Sequence, residues 1–239
     1  MTATSAEKVN AEAACMKLFS YCLRYDDGAA PNPFWELCTL AICKPRIRRA
    51  ANIGDWVVGL GSAHSPIGNI SSCIVYTMQV TGKMTLQEYD EFCRVHSPYK
   101  IPKWNSQKFE HRVGDCIYDY SQGTPPALRS SVHNESNREL DLGGVYVLMS
   151  QHFYYFGDKA IPLPTSLTPI IHAQQGHKSR ANQPYINEFV AWIENLGYVP
   201  NKVHGEPQLK KEFILDPDIG SHCARRDRED DDSDEDPNC

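Results

Sequence analysis

The shortness of the apolar segments is the feature that most limits how this chain can fold. The longest of them run from Cys73 to Met78 and from Val145 to Met149. Runs of this length suit buried strands, whereas a helix that crosses a membrane needs about 20 apolar residues. With 239 residues, 41% of them apolar, the chain can still bury a sizeable core. The sequence therefore predicts a globular, strand-rich protein with no membrane span.

Patterns typical of strands recur along most of the chain. In residues 17–25, large side chains alternate with smaller or polar ones at a period of two, which indicates a strand. Gly54-Asp55 provides a tight turn before the next β-rich run. Residues 153–156 are interpreted as the pairing partner of the strand before them. The further predicted strands are 37–43, 56–60, 73–81, 116–120 and 145–150.

Two stretches have the signals of helices. Thr85 to Glu88 forms a capping box, which predicts a helix ending near Val95. Pro184 to Leu196 places apolar residues at helical spacing and is followed by Gly197. Residues 46–52 can add one helical turn. The expected fold is α+β, with a mixed or antiparallel sheet and two or three packed helices, and closure of the sheet into a small barrel stays open.

The charge of −6 is unevenly distributed along the chain. Residues 225–236 contain three arginines and eight acidic residues, a net −5, so all other residues together have only −1. We expect a flexible N-terminus at residues 1–14, one globular domain at 15–222 and a disordered acidic tail at 223–239. Nine cysteines without a secretory signal indicate reduced thiols, and hence a cytoplasmic protein.

A basic turn follows the predicted strand 37–43. It has four positive charges in six residues, namely Lys44, Arg46, Arg48 and Arg49. Guanidinium groups pair bidentately with phosphate oxygens, so the turn is interpreted as a phosphate site. The alternative is a solvated turn at the end of a buried strand. Cys43, beside Lys44, is either a reactive thiolate or a small apolar strand residue, and the sequence shows no histidine partner for it.

Other residue patterns indicate chemistry less strongly. Cysteine and histidine spacings are irregular, so no metal site is predicted, and no cofactor motif is present. The aromatic run from Phe153 to Phe156 can stack nucleobases where a ring face is exposed, although aromatic residues in strands are more often core residues.

Four segments resemble a known family when they are taken in order. They are Tyr21 to Asp26 with Ala30 to Phe34, Cys38 to Arg49, Gly54 to Ser62, and Val145 to Gly157. Together they resemble the nucleotide modification associated domain, type two, whose members occur in phages and bacteria near genes for DNA base hypermodification. A fainter likeness, to the small barrels of the pseudouridine-synthase-associated (PUA/EVE-like) kind, is the reason for the barrel alternative.

The resemblance implies that several residues in these segments contact a nucleotide. The candidates for binding phosphate are Arg24, Asn32, Lys44, Arg46, Arg48, Arg49 and Ser62. The candidates for base stacking are Trp56, Tyr154 and Tyr155. The weaker candidates for catalysis are Cys43, Asp26 and Asp55.

Three hypotheses about function follow from the sequence. The favoured one is a module that recognises a modified nucleobase or nucleotide in DNA base-modification pathways. The alternative is an enzyme that transfers or removes a group on such a base, and the third is an interaction protein without a ligand. Expected partners are DNA or a modified nucleotide, and enzymes that modify bases.

Overall fold

The structure is a computed structural model that describes residues 16–172 and 176–215. The predicted flexible N-terminus at 1–14 and the predicted acidic tail at 223–239 lie outside these residues. The described residues form an α+β fold, as predicted. Its strands are β1 (Leu18–Cys22), β2 (Cys38–Leu40), β3 (Trp56–Leu60), β4 (Cys73–Gln79), β5 (Gly82–Thr85), β6 (Tyr118–Asp119), β7 (Ala127–Leu128), β8 (Tyr146–Ser150), β9 (His152–Tyr155), β10 (Ile161–Pro162) and β11 (Lys202–Val203). Its α-helices are α1 (Pro45–Ala50), α2 (Leu86–His96), α3 (Phe109–Arg112), α4 (Arg138–Gly143), α5 (Ile186–Glu194) and α6 (Lys210–Leu215).

The strands form three sheets. The central sheet has the order β1-β3-β4-β9-β11, with β10 paired to β4. It is mixed, because β1 pairs with β3 and β11 pairs with β9 in parallel, whereas the β3–β4 and β4–β9 pairs are antiparallel. A second sheet has the order β2-β8-β5, and β6 pairs with β7. Within the described ranges, none of these sheets closes into a barrel.

The period-two pattern of β1 is explained by two cores on opposite faces of the central sheet. Phe19 and Tyr21 point into a core shared with β2, β8 and α1. Leu18 points into the other core, where Phe189 and Ile193 of α5 cover the sheet. All five side chains are buried. The central sheet therefore has both faces covered, as expected for a strand-rich chain of this length.

The predicted pairing of 153–156 with the preceding strand is wrong. β8 pairs with β2 and β5, whereas β9 pairs with β4 and β11, so the two strands belong to different sheets. Only Gln151 separates them, and even the tightest common hairpin needs two loop residues. The Ser150 hydroxyl donates to the carbonyl of His152 and accepts from its N–H, at 2.8 and 3.0 Å, which bends the chain at this point.

The capping box of α2 is present as predicted. Thr85 Oγ1 accepts from the N–H of Glu88 at 3.2 Å, and Glu88 Oε2 accepts from the N–H of Thr85 at 2.7 Å. α5 starts at Ile186, just after Pro184. Among the described residues, the helices are all too short or too polar to span a membrane.

Candidate active site

The turn between β2 and α1 holds the most distinctive backbone of the predicted site. Cys43 and Lys44 both have left-handed conformations, with φ of 57° and 40°. Such angles are uncommon for residues other than glycine and tend to occur at functional sites. Pro45 is the first residue of α1, a position that its fixed φ suits. The turn therefore presents the Cys43 thiol at the end of a buried strand.

A histidine and an aspartate line up behind this thiol. Cys43 Sγ lies 3.5 Å from His133 Nε2, and His133 Nδ1 lies 2.6 Å from Asp141 Oδ2. The side chain of Asp141 is fully buried and that of His133 is only 3% exposed. This is the order of contacts found in catalytic triads, in which a carboxylate orients an imidazole that acts as base for the nucleophile.

Asp141 is held in place by two further donors. The N–H of Cys43 donates to its Oδ1 at 2.9 Å, and the Tyr118 hydroxyl donates to its Oδ2 at 3.0 Å. Burial, together with the charge of Asp141, raises the pKa of Tyr118, so its phenol stays protonated and remains a donor. With Asp141 as acceptor for Nδ1–H, His133 presents an unprotonated Nε2 to the thiol.

Arg48 joins the segments that carry the three residues. Its guanidinium donates to the carbonyls of Cys43 at 2.7 Å, Tyr146 at 2.9 Å and Asp141 at 2.5 Å. Burial lowers the pKa of Arg48, while the charge of Asp141 opposes that shift. Arg48 is completely buried. The structure therefore argues against its predicted role in phosphate binding and assigns it to the support of the triad.

The thiol opens into a cavity of about 40 Å³, which we call the Cys43 cleft. Its lining includes two of the predicted cations, Arg24 and Lys44, and one acidic residue, Asp27. Lys44 Nζ lies 5.1 Å from the centre of the Tyr21 ring. Arg46 is half-buried and Arg49 is exposed, and Arg49 donates to the carbonyl of Gly143. The structure thus brings together Cys43, Arg24 and Lys44 in one cleft.

The same three side chains could in principle contact a metal ion, because their ligand atoms lie within 4.8 Å of one another. Asp141 Oδ2, however, contacts Nδ1, the ring nitrogen of His133 that does not face Cys43. An ion between Sγ and Nε2 would then have two protein ligands, whereas catalytic zinc sites normally have three. The arrangement fits a thiol with its base better than a metal centre.

The aromatic residues predicted for base stacking lie in the two cores. The exposed fractions of Trp56, Tyr154 and Tyr155 are 1%, 3% and 0%. Trp56 packs against Phe189, and the hydroxyl of Tyr155 donates to both carboxylate oxygens of Asp26. Stacking needs an exposed ring face, so these positions argue against the predicted role. The aromatic residue that does line the Cys43 cleft is Tyr25.

The other predicted residues have structural contacts away from the triad. Asn32 is buried and accepts from Lys100 Nζ at 2.6 Å. Ser62 Oγ accepts from the N–H of His64 at 3.1 Å. Asp55 is buried and caps a turn by accepting the N–H groups of Lys17 and Asn52, each at 2.8 Å. These contacts explain the residues as parts of the fold.

Sequence reasoning missed His133 and Asp141. They lie 90 and 98 positions from Cys43, in the segment whose secondary structure the sequence indicates least clearly. One signal was available for Asp141, because an acidic residue between Leu140 and Leu142, just before Gly143-Gly144, suggests a buried carboxylate at the end of a helix.

A scan against family profiles gives one description that fits the residue pattern noted above. The profile described as nucleotide modification associated domain 2 matches residues 15–214. Searches of curated proteins and of solved structures found no match.

Proposed function

Since this chain belongs to the nucleotide modification associated domain 2 family, we propose that it is an enzyme of nucleotide modification with Cys43 as its covalent nucleophile. One observation carries the proposal, the line of contacts from the Cys43 thiol through His133 to buried Asp141. It favours the enzyme over the recognition module, which the sequence alone favoured because no base for Cys43 was visible in it.

Each residue of the line has a chemical role. His133 Nε2 takes the thiol proton, and the resulting thiolate attacks an electrophilic carbon of the substrate. Asp141 accepts from Nδ1–H, keeps the imidazole in the required tautomer and stabilises its protonated form. The imidazolium then returns the proton to the leaving group. A second step releases the covalent intermediate and restores the thiol.

The charges around the thiol support an anionic substrate. Arg24 and Lys44 line the cleft, with Arg46 and Arg49 on the adjoining helix α1. Guanidinium and ammonium groups bind phosphate, so the proposed substrate is DNA or a modified nucleotide. Tyr25 offers a ring beside the cleft on which a base can stack. We extend the proposal to a cytoplasmic location, whose reducing conditions keep a thiol nucleophile active, and to other base-modification enzymes as partners.

The proposal is tested by following nucleosides after incubation of the full-length protein with DNA. Plain DNA, hypermodified phage DNA and free modified nucleotides are each incubated, digested and analysed by mass spectrometry. We expect wild-type protein to convert at least one modified nucleoside, and Cys43→Ala to abolish the conversion, because no other group replaces the nucleophile.

The matched control is Cys22→Ala. Cys22 lines the same cleft, but its sulfur lies 3.9 Å from the carbonyl oxygen of Gly61, which does not act as a base. Conversion by this variant should match wild type, with circular dichroism confirming that both variants fold. Binding of modified DNA without any conversion would return the recognition module to first place.

A further inference from the structure

The Cys43 cleft is small compared with a nucleotide. Its volume is about 40 Å³. One water molecule needs about 10–15 Å³ of a cavity measured in this way, so the cleft has room for about three or four non-hydrogen atoms. A nucleobase ring is more than twice that size and stays outside. The group that reaches Cys43 is therefore a small substituent that projects from the nucleotide.

From this size and from the triad we infer that the protein acts on a small acyl group, an amide or ester carried by a nucleotide, and transfers or hydrolyses it through a thioester on Cys43. The inference rests on the proposed function and specifies its substrate. Attack on a carbon of the base ring itself, the other common use of a cysteine on nucleobases, would require the ring to enter the cleft.

A carbonyl electrophile also suits the charges that line the cleft. Attack on a carbonyl carbon places a negative charge on its oxygen, and positive groups close by stabilise that charge most effectively in a site with little water. Lys44 follows Cys43 directly in the chain and lines the cleft, as does Arg24. Asp27 is the acidic residue on this lining, and its N–H···O contact with Ala29, at 2.9 Å, occupies Oδ1.

The proposed steps balance without any oxidant or reductant. The bond from Sγ to the carbonyl carbon forms while Nε2 of His133 takes the thiol proton and the carbonyl π electrons move to oxygen. When those electrons return, the bond to the nitrogen or oxygen leaving group breaks, and that group receives the proton from Nε2. Water, or an amine in a transfer reaction, then gives a proton to Nε2 and adds to the thioester. Its collapse releases the acyl product, and the sulfur recovers its proton.

The test compares esters with small and large acyl groups. The probes are 4-nitrophenyl acetate and 4-nitrophenyl benzoate, with N-acetylcysteine as the free-thiol reference that corrects for their different intrinsic reactivity. We expect the full-length protein to prefer acetyl over benzoyl by about tenfold more than the free thiol does, because one added ring exceeds the volume of the cleft. Peptide mapping should find the acetyl group on Cys43, and Cys43→Ala should remove the reaction.

Alkylation by iodoacetamide separates the two levels of the proposal. A thiol paired with an imidazole is more thiolate than a free one at about pH 6.5, so His133→Ala should slow alkylation of Cys43 by about tenfold, with Cys22 as internal reference. If alkylation depends on His133 while the acetyl preference is absent, the acyl inference fails and the thiol enzyme stands. If neither reaction depends on His133, both proposals fail.

Discussion

At the scale of single residues, Asp26 combines full burial with a titratable carboxyl group. It accepts the Tyr155 hydroxyl at 2.6 and 2.7 Å and lies within reach of the N–H groups of Gly28 and Gln208. Burial raises the pKa of Asp26 to about 7, although the hydrogen bond from Tyr155 acts in the opposite direction. Asp26 belongs to the loop that continues into the lining of the Cys43 cleft at Asp27.

This shift predicts that the folded state loses stability as the pH rises. Below the ordinary value of 3.8 the carboxyl is protonated in both the folded and the unfolded chain. Between 3.8 and about 7 the folded chain binds the proton more tightly, so rising pH lowers the free energy of unfolding. At about 1.4 kcal/mol per pKa unit the whole loss is at most about 4 kcal/mol.

Asp26→Asn should remove this contribution, because the amide keeps an acceptor oxygen for Tyr155 but does not ionise. Urea unfolding is measured for wild type and variant at several pH values from about 4 to 8. At the acidic end their difference reports only the exchange of carboxyl for amide, and the variant should gain relative to wild type as the pH rises. A difference that stays constant over this range would contradict the raised pKa.

The candidate site could be predicted only in part at this scale. Cys43, Lys44 and Arg24 were identified because their chemistry is visible in short segments that resemble the family. His133 and Asp141 were not, because nothing local to either residue indicates that folding brings them to Cys43. Arg48 and Tyr155 were assigned ligands that their burial argues against, since charge and aromatic character do not indicate on which side of a short helix or strand a residue lies.

At the scale of elements, the contact between α1 and the end of α4 sets the geometry of the triad. Gly144 follows α4 and faces the guanidinium of Arg48, so closely that a Cβ atom at this position would overlap it. The absence of a side chain lets Arg48 reach the carbonyls of both Cys43 and Asp141. Glycine is required here by close approach, because its φ of −71° is open to any residue.

Gly144→Ala should therefore displace Arg48 and disturb the triad. We expect the free energy of unfolding to fall by about 1–3 kcal/mol, the usual cost of overpacking, and alkylation of Cys43 by iodoacetamide to slow. The matched control is Gly143→Ala, where the nearest atom to a new Cβ is the Arg49 Nη1 at 3.9 Å, an ordinary contact. Equal stability and equal alkylation rates for the two variants would show that Arg48 does not position the triad.

The elements also differ in how far the sequence predicts them. The capping box of α2 and the apolar spacing of α5 are local patterns, and both helices are found where they were predicted. The partners of β8 and β9 are set by strands more than 60 positions away, such as Thr81, whose N–H donates to Met149, and so by contacts that no local pattern encodes.

At the scale of the whole molecule, the C-terminal segment returns to the loops that carry the site. Gln208 contacts Ser65 and Gly157, and the N–H of Leu209 donates to the carbonyl of Asp26 at 2.9 Å. Phe213 of α6 is fully buried in a core with Phe34 and Phe109, against which Cys43 also packs. The two ends of the described chain therefore stabilise one another through long-range contacts.

Phe213→Ala should lower the free energy of unfolding by about 3–5 kcal/mol, because it leaves a cavity where the ring meets Phe109 and Trp104 edge-on. Ile214 is the matched control, since it is the next residue of the same helix and is 54% exposed. Its replacement by alanine should change stability by no more than about 0.5 kcal/mol. Urea unfolding is followed by circular dichroism and by tryptophan fluorescence, which should give one midpoint for each protein if the molecule unfolds as a unit. Similar, small effects of both substitutions would mean that the C-terminal helix does not belong to the cooperative core, and that the loops around Cys43 fold without it.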